Sequence, residues 1–194
     1  MKRRDLRQKI LGIRRAMPPS TVKDVSKEVC DAVKNLDSFK NARTVASYIS
    51  CNGEVDPIFL ESDKSKIFTF PVVQEDGTLI FVEPNGDFRR GSFGIPEPEK
   101  GIEIEISQID IVLVPLVAAD SEGNRLGHGG GYYDKTFAIE RNSKRPLLVG
   151  LAHDFQIVEK LEVNSWDVPM DLLITQSRVF LSENSYLRVS MGEY

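Results

Sequence analysis

The residues best suited to chemistry lie between positions 123 and 134, where the chain reads Gly-Asn-Arg-Leu-Gly-His-Gly-Gly-Gly-Tyr-Tyr-Asp. Residues 127–131, which we name the glycine loop, let backbone N–H groups approach a bound anion closely. Arg125 adds a permanent positive charge and a forked donor geometry that suits phosphate oxygens. Asp134 falls in the first turn of a helix predicted from about Tyr132, where its carboxylate can hold Mg²⁺ against the same phosphates. The pattern predicts a phosphate site, although a glycine-rich turn with Asp134 as a capping acid fits the residues equally well.

A strongly basic segment opens the chain. Residues 1–15 hold seven Lys and Arg side chains and one acid, whereas the whole chain has a net charge of −4. Apolar residues recur there at helical spacing, namely Leu6, Ile10, Ile13 and Met17. At about 100° per residue, a stripe roughly 40° wide beside this apolar face carries three arginines, namely Arg3, Arg7 and Arg14. Charge alone is compatible with an anion site on this helix or with a solvated helix face.

Strand-like and helix-like segments alternate along the rest of the chain. The strongest strand is predicted at 109–114, an almost continuously apolar run typical of a central parallel strand. Further strands are predicted at 44–49, 66–73, 79–83, 147–151 and 172–175. Helices are predicted from Ser20 or Thr21 to about Leu36 and from about Val55, and the Pro- and Gly-rich residues 84–101 are expected to form an ordered loop. This order predicts an α/β fold, with residues 1–194 as a single-domain three-layer α/β/α sandwich around a mainly parallel, Rossmann-like sheet.

The composition bounds the class of protein. A chain of 194 residues with 41% apolar and 28% charged residues is typical of one globular domain with a substantial core. No apolar run approaches the ~20 residues that span a membrane, and no secretory signal pattern follows the basic start. The two cysteines and two histidines share no metal-ligand spacing. We expect a cytoplasmic monomer without a membrane partner. We also expect no nucleic-acid partner, because aromatic residues do not interleave the basic segment.

A longer string of residues resembles a known family. Val114-Pro115, followed by Arg125-Leu126-Gly127-x-Gly-x-Gly131-Tyr132-Tyr133-Asp134, is similar to the signature of the 5-formyltetrahydrofolate cyclo-ligase family. The resemblance covers nearly the whole chain, because other landmarks of the family follow in order. They are Arg3-Arg4-Asp5-Leu6-Arg7, Glu54-Val55-Asp56, Gly94-Ile95-Pro96-Glu97-Pro98 and Asp167-Val168-Pro169-Met170-Asp171.

The resemblance implies an enzyme that uses ATP to cyclise 5-formyltetrahydrofolate to 5,10-methenyltetrahydrofolate, with release of ADP and phosphate. In the implied path, the formyl oxygen attacks the γ-phosphoryl group, the folate N10 attacks the activated carbon, and phosphate leaves. Such a protein mainly positions two substrates and stabilises phosphoryl charge.

The resemblance also implies roles for particular residues. The implied ATP site comprises Arg3, Arg7, Arg125, Leu126, Gly127, His128, Gly129, Gly130, Gly131, Tyr132 and Tyr133. The implied formylfolate site comprises Ile49, Glu54, His128, Gly129, Gly130, Gly131 and Tyr132. The implied catalytic residues are Arg125, Tyr132 and Glu54. The implied Mg²⁺ ligands are Asp134 and Asp167, with Asp171 either a further ligand or a strand cap.

Several of these residues keep a plainer interpretation. Glu54 either contacts the formyl group or pterin, or is an acid at a helix N-terminus. Ile49 lines the pterin pocket or belongs to the strand core, and Phe93 stacks on the pteridine or packs in the core. We expect Arg14 to lie on the surface and Trp166 to be a packed aromatic residue beside Asp167.

The chain departs from the family pattern at two positions. Arg3 stands where Lys is usual, with Lys2 beside it, and Gly130 stands where many members have Lys, so phosphate binding rests more heavily on the arginines. Two other functions remain open on the sequence: a non-catalytic folate or nucleotide binder, and a sugar-phosphate isomerase or CoA-transferase-like enzyme with a similar layered fold.

Overall fold

The computed structural model describes residues 2–91, 94–138 and 145–182. The helices are α1 (Arg3–Arg15), α2 (Pro19–Asn35), α3 (Asp37–Asn41) and α4 (Tyr132–Ala138). The first seven strands are β1 (Thr44–Ala46), β2 (Ile67–Val73), β3 (Leu79–Pro84), β4 (Phe88–Arg90), β5 (Pro96–Pro98), β6 (Gly101–Ile104) and β7 (Ile111–Pro115). The remaining strands are β8 (Ala118–Asp120), β9 (Arg125–Leu126), β10 (Leu147–Leu151), β11 (Ile157–Val158), β12 (Leu172–Ile174) and β13 (Val179–Leu181).

The main sheet has the strand order β13-β12-β10-β7-β1-β2-β3-β6. The five strands from β12 to β2 run parallel to one another. At the edges, β13 pairs antiparallel with β12, β3 pairs antiparallel with β2, and β6 pairs antiparallel with β3. The predicted mainly parallel sheet is therefore confirmed. The strand expected from its apolar run, β7, lies between β10 and β1 and is buried on both faces, as such a composition requires.

Alternating residues of the parallel strands enter two hydrophobic cores. Ile111 and Leu113 pack with residues of α2 and α3, whereas Val112 and Val114 pack with Phe137 of α4. Because successive side chains of a strand point to opposite faces, this division places helices on both sides of the sheet. The predicted three-layer α/β/α arrangement is confirmed.

Helix α1 packs against a second, smaller sheet. This sheet has the order β11-β8-β9, and its apolar residues form a third core with Leu6 and Ile10 of α1. Leu126 of β9 belongs to this core and is 1% exposed. The residue before it is Arg125, and the glycine loop begins directly after it, so the packing of α1 brings the basic helix to the glycine loop.

Three local predictions need correction. The helix expected from about Val55 is only a 3₁₀ turn at Pro57–Phe59, which begins where Asp56 Oδ1 accepts from the Ile58 N–H at 3.2 Å. Helix α2 begins at Pro19, ahead of the expected Ser or Thr caps, because proline is suited to the first helical turn. The expected loop 84–101 contains the paired strands β4 and β5.

Over the described ranges, no helix is both long enough and apolar enough to cross a membrane.

A buried ion pair joins two of the parallel strands. The guanidinium of Arg145 donates to both carboxylate oxygens of Asp171, at 2.7 and 2.8 Å, and the Leu148 N–H donates to Asp171 Oδ2 at 2.8 Å. Asp171 is 1% exposed. These contacts fix the start of β10 beside β12, which is the strand-capping role foreseen as the alternative to metal binding for Asp171.

Asp171→Ala is expected to lower the free energy of unfolding by about 3–5 kcal/mol, because it leaves the Arg145 guanidinium buried without its carboxylate. Urea unfolding followed by circular dichroism measures the loss. Asp37→Ala is the matched control, because Asp37 forms an exposed ion pair with Lys40, and it should cost no more than about 1 kcal/mol. Equal losses in the two variants would contradict the structural role of Asp171.

Candidate active site

The glycine loop connects β9 to α4. Gly129 and Gly131 have φ values of 115° and 69°, in the left-handed region that side chains rarely adopt. A Cβ atom at Gly130 would lie 2.4 Å from Cε2 of Tyr132. A lysine at position 130, the residue that the resemblance implies for many members, would therefore require the Tyr132 ring to move.

Arg7 holds the first residue of the glycine loop. Its Nε donates to the Gly127 carbonyl oxygen at 2.8 Å, and its guanidinium lies close to Gly129. Burial and the charge of Arg3 lower the pKa of Arg7. Arg7 forms no ion pair with any residue that the structure describes. Two neighbouring guanidinium groups beside a glycine loop make a region that favours an anion.

Arg3, the second of these two arginines, is bound to Asp167. Its Nη1 donates to Asp167 Oδ2 at 2.5 Å and to the Glu162 carbonyl oxygen at 2.9 Å. Burial by itself raises the pKa of Asp167, but the hydrogen bond and charge of Arg3 outweigh it and hold the pKa below its ordinary value. The predicted ATP ligand and the predicted metal ligand are thus brought together, as an ion pair.

Arg125 is bound in the same way to Asp134. Its Nη2 donates to Asp134 Oδ1 at 2.8 Å, and its Nη1 donates to the Val168 carbonyl oxygen. The Arg125 side chain is 5% exposed. Sequence reasoning placed Arg125 at the phosphates, whereas the observed contacts make it the residue that ties Asp134 to the segment after Asp167.

The two predicted metal ligands therefore lie at the same place in the fold. Asp134 accepts two hydrogen bonds at Oδ1, from Arg125 and from the Val168 N–H at 3.0 Å, and its side chain is 22% exposed. No group of three His, Cys, Asp or Glu residues suited to a metal occurs among the described residues. Two carboxylates completed by phosphate oxygens and water fit Mg²⁺ better than any all-protein site.

Glu54 follows strand β1 and is buried, with 5% exposure. Its Oε2 accepts from the Cys51 N–H at 2.9 Å, and its Oε1 lies 3.4 Å from Arg14 Nη2. Burial raises the pKa of Glu54, and Arg14 and the Cys51 N–H offset part of that increase. The alternative interpretation of Glu54 as a helix-terminal acid is wrong, because only the short turn at Pro57–Phe59 follows it.

The expectation that Arg14 lies on the surface is wrong. Arg14 is 1% exposed, and its Nε and Nη1 donate to the carbonyl oxygens of Asn52 and Leu116, at 2.9 and 3.0 Å. Its Nη2 also lies 2.9 Å from His128 Nε2. Sequence reasoning missed this because the partners come from distant segments. The signal was present, since Arg14 shares the stripe of Arg3 and Arg7 beside the apolar face of α1.

The side chain of His128 is fixed by this contact. An arginine has only donors, so His128 Nε2 accepts the hydrogen bond from Arg14 and the ring proton is on Nδ1. Burial, together with the charges of Arg14, Arg7 and Arg15, lowers the pKa of His128 to about 4. His128 is therefore neutral at neutral pH and lies 3.5 Å from Glu54 Oε1.

A cavity of about 380 Å³ opens beside Glu54, between the start of α2 and residues 50–59. Its lining combines apolar side chains with a cation, an acid and hydroxyls, and includes Pro19, Val22, Lys23, Ser26, Glu54 and Phe59. Sequence reasoning named no residue of α2 for the site. Ile49 is half-buried and is not among the lining residues.

Four other predicted residues are placed as follows. Tyr133 is half-buried and its ring stacks on Phe137, with ring centroids 6.4 Å apart. Leu126 likewise lies in the core. Trp166, expected to be packed, is 63% exposed. Phe93 lies outside the described residues.

Fold and site together define an α/β protein in which four arginines and three carboxylates link the glycine loop to the segments that follow β1 and β7 and to the segment that precedes β12. The sequence profile of the 5-formyltetrahydrofolate cyclo-ligase family matches residues 1–176. The chain belongs to this family.

Individual relatives agree with this assignment. The 5-formyltetrahydrofolate cyclo-ligase of Escherichia coli (strain K12) is 33% identical over 176 residues, which cover 86% of this chain and 96% of the relative. The structure of 5,10-methenyltetrahydrofolate synthetase from Aquifex aeolicus superimposes with a TM-score of 0.81 at 35% identity, covering 94% of both chains. The corresponding structure from Mycoplasma pneumoniae gives a TM-score of 0.73 at 26% identity, covering 91% of this chain and 99% of that one.

The lowered pKa of His128 predicts a pH-dependent stability. Between pH 6.5, the ordinary value, and pH about 4, the unfolded chain binds a proton at His128 that the folded protein does not bind. The free energy of unfolding therefore falls as the pH is lowered through this window. His128→Gln removes this titration and keeps an acceptor for Arg14, so its stability should fall less steeply. Urea unfolding at a series of pH values measures both slopes, and identical slopes would contradict the assignment.

Proposed function

We propose that this protein catalyses the ATP-dependent cyclisation of 5-formyltetrahydrofolate to 5,10-methenyltetrahydrofolate, with release of ADP and phosphate. The observation that carries the proposal is the meeting of the glycine loop and the buried Glu54 at Arg14, with Arg7 and Arg3 beside the loop. The relatives named for this activity, which the chain matches over most of its length, support it.

The proposed reaction requires a phosphate site and a formylfolate site side by side. The formyl oxygen attacks the γ-phosphorus of ATP, and ADP leaves. The folate N10 then attacks the activated carbon, loses its proton, and displaces the phosphate as the ring closes. A formamide carbonyl is a poor electrophile, and phosphorylation of its oxygen supplies a good leaving group. Because little covalent chemistry falls to the protein, its contribution is positioning and charge stabilisation.

The nucleotide half of the site is assigned to the glycine loop and α1. Backbone N–H groups of residues 127–131 can surround phosphate oxygens, since glycine allows the close approach. Arg7 supplies positive charge at Gly127 and Gly129, and Arg3 can turn from Asp167 to a phosphate because its side chain is 25% exposed. We assign Arg125 a supporting role, through its ion pair with Asp134.

We propose Asp134 and Asp167 as the residues that hold Mg²⁺. Asp134 offers Oδ2, and Asp167 becomes available when Arg3 transfers to the nucleotide. When bound, the ion neutralises charge on the phosphoryl group during its transfer.

The formylfolate half is assigned to Glu54 and the adjoining cavity. The apolar walls from α2 and Phe59 suit a flat heterocycle, and the Glu54 carboxylate can accept hydrogen bonds from pterin or N10 donors. Tyr132, at the exit of the glycine loop, can contact both substrates. Because all these residues come from one chain, we also propose that the protein acts as a monomer. We further propose that it acts on small-molecule substrates in the cytoplasm.

The direct test is the appearance of the methenyl product by absorbance when purified protein receives 5-formyltetrahydrofolate, ATP and Mg²⁺. Product formation that depends on all three supports the proposal. Tight folate binding without product would identify a non-catalytic binder, and turnover of a sugar phosphate instead would also overturn the proposal. Trp166, the only tryptophan, is exposed beside Asp167 and provides a fluorescence signal for nucleotide binding.

Asp134→Ala is expected to lower kcat by at least about 100-fold, because it removes a proposed ligand that stabilises phosphoryl charge by several kcal/mol. The measurement is initial rate at saturating substrates, with circular dichroism to show that the fold persists. Glu122→Gln, at an exposed acid in the β8–β9 turn, is the control and should keep the wild-type rate. Wild-type turnover in Asp134→Ala would refute the metal assignment.

Glu54→Gln is expected to raise the KM for 5-formyltetrahydrofolate by about 10-fold, because hydrogen bonds to a charged group contribute about 1.5–3 kcal/mol. The KM for ATP should change little. Glu61→Gln is the control, since Glu61 is a second glutamate whose pKa is raised by burial, and it lies outside the proposed site. An effect confined to the KM for ATP would contradict the placement of Glu54.

A further inference from the structure

Arg14 contacts four acceptors in three separate segments with one guanidinium. They are the Asn52 carbonyl, the Leu116 carbonyl, Glu54 Oε1 and His128 Nε2. Burying an arginine this completely is costly unless its donors are satisfied. The arrangement joins the segment after β1, the segment after β7 and the glycine loop.

The backbone around Asn52 is shaped to fit Arg14. Asn52 and Gly53 both have left-handed φ values, 49° and 74°. A Cβ atom at Gly53 would lie 2.7 Å from the Arg14 carbonyl oxygen. Asparagine and glycine are the residues that adopt left-handed conformations most readily, and the absence of a side chain at Gly53 lets the loop pack closely against α1.

We propose that Arg14 is a positioning residue, which fixes the glycine loop and the Glu54 carboxylate in the mutual orientation that the reaction needs. This inference rests on the proposed function, because it assigns the nucleotide to the glycine loop and formylfolate to Glu54. Arg14 is 1% exposed, which places its guanidinium behind the groups that it contacts. It acts through His128 on one side and through Glu54 on the other.

On the nucleotide side, the His128 side chain is the means by which Arg14 restrains the glycine loop. Glycines on both sides of His128 leave the backbone with much conformational freedom, which must be lost when a phosphate binds. The hydrogen bond from Arg14 removes part of that freedom in advance, and the bond from Arg7 to Gly127 does so at the start of the loop. Preorganisation of this kind strengthens binding without any new contact to the ligand.

On the formylfolate side, Arg14 and the Cys51 N–H hold one oxygen each of the Glu54 carboxylate. The same nitrogen, Arg14 Nη2, contacts Glu54 and His128, so the two halves share one donor group. A residue that only stabilised the fold would affect both halves through loss of folded protein. If Arg14 is a positioning residue, the effects of substituting His128 and Arg14 on nucleotide binding are instead coupled to each other.

The experiment compares Arg14→Lys, His128→Ala, His128→Gln and the double variant Arg14→Lys/His128→Ala. Lysine keeps the charge but cannot reach four acceptors in three directions. Calorimetric titration with Mg²⁺ and a non-hydrolysable ATP analogue gives Kd, and the product assay gives kcat and both KM values. Arg15→Lys is the matched control, because Arg15 is the exposed neighbour of Arg14 on the same helix.

We expect Arg14→Lys and His128→Ala each to raise Kd for the analogue by about 10-fold, in line with the loss of one hydrogen bond to a charged group. The double variant should bind no more weakly than Arg14→Lys, because both changes remove the same contact. His128→Gln should restore most of the affinity lost in His128→Ala. Arg14→Lys should also raise the KM for 5-formyltetrahydrofolate, and by more than His128→Ala does, because Arg14 contacts Glu54 directly; Arg15→Lys should match the wild type.

Fully additive losses in the double variant, or unchanged Kd in both single variants, would overturn the positioning role. If Arg14→Lys does not fold, unchanged Kd in His128→Ala would do so by itself. The titration needs no turnover, so the positioning role is tested even if the wild-type protein forms no methenyl product, an outcome that would refute only the proposed function.

Discussion

The docking of α1 on the β11-β8-β9 sheet is the constraint on which the site depends. Leu6 and Ile10 bury one face of the helix in the third core, and this packing directs the arginine stripe toward the glycine loop. The hydrophobic contact is non-directional, whereas the arginine hydrogen bonds are directional. The apolar face therefore brings α1 to the sheet, and Arg7 and Arg14 determine its register against the loop.

The charges of the site are organised as pairs that substrates can rearrange. Arg3 lies against Asp167 and Arg125 against Asp134, so positive and negative charges neutralise one another within the described structure. In the proposed function, a nucleotide with its magnesium ion would bring the opposite charge to each member of the Arg3–Asp167 pair. That exchange would replace one set of charge-assisted hydrogen bonds with another, which would limit the desolvation cost of binding.

The sequence predicted those features that follow from local patterns. The apolar run at 109–114 predicted the central strand, and the glycine spacing predicted the loop. Both features depend on residues that are adjacent in the sequence. The role of Arg14 could not be predicted in this way. Its acceptors include the carbonyl oxygens of Asn52 and Leu116 and the His128 side chain, which become neighbours only in the folded chain. The exposure of Trp166 and the cavity beside α2 depend on tertiary packing for the same reason.

The proposed function depends most on the glycine loop, which with Arg7 and Arg3 is proposed to hold the polyphosphate of a nucleotide. A crystal structure of the protein with Mg²⁺ and a non-hydrolysable ATP analogue tests it most directly. We expect phosphate oxygens within hydrogen-bond distance of the N–H groups of residues 127–131 and of the Arg7 guanidinium, with Arg3 released from Asp167. An analogue bound elsewhere, with the glycine loop free of phosphate, would contradict it.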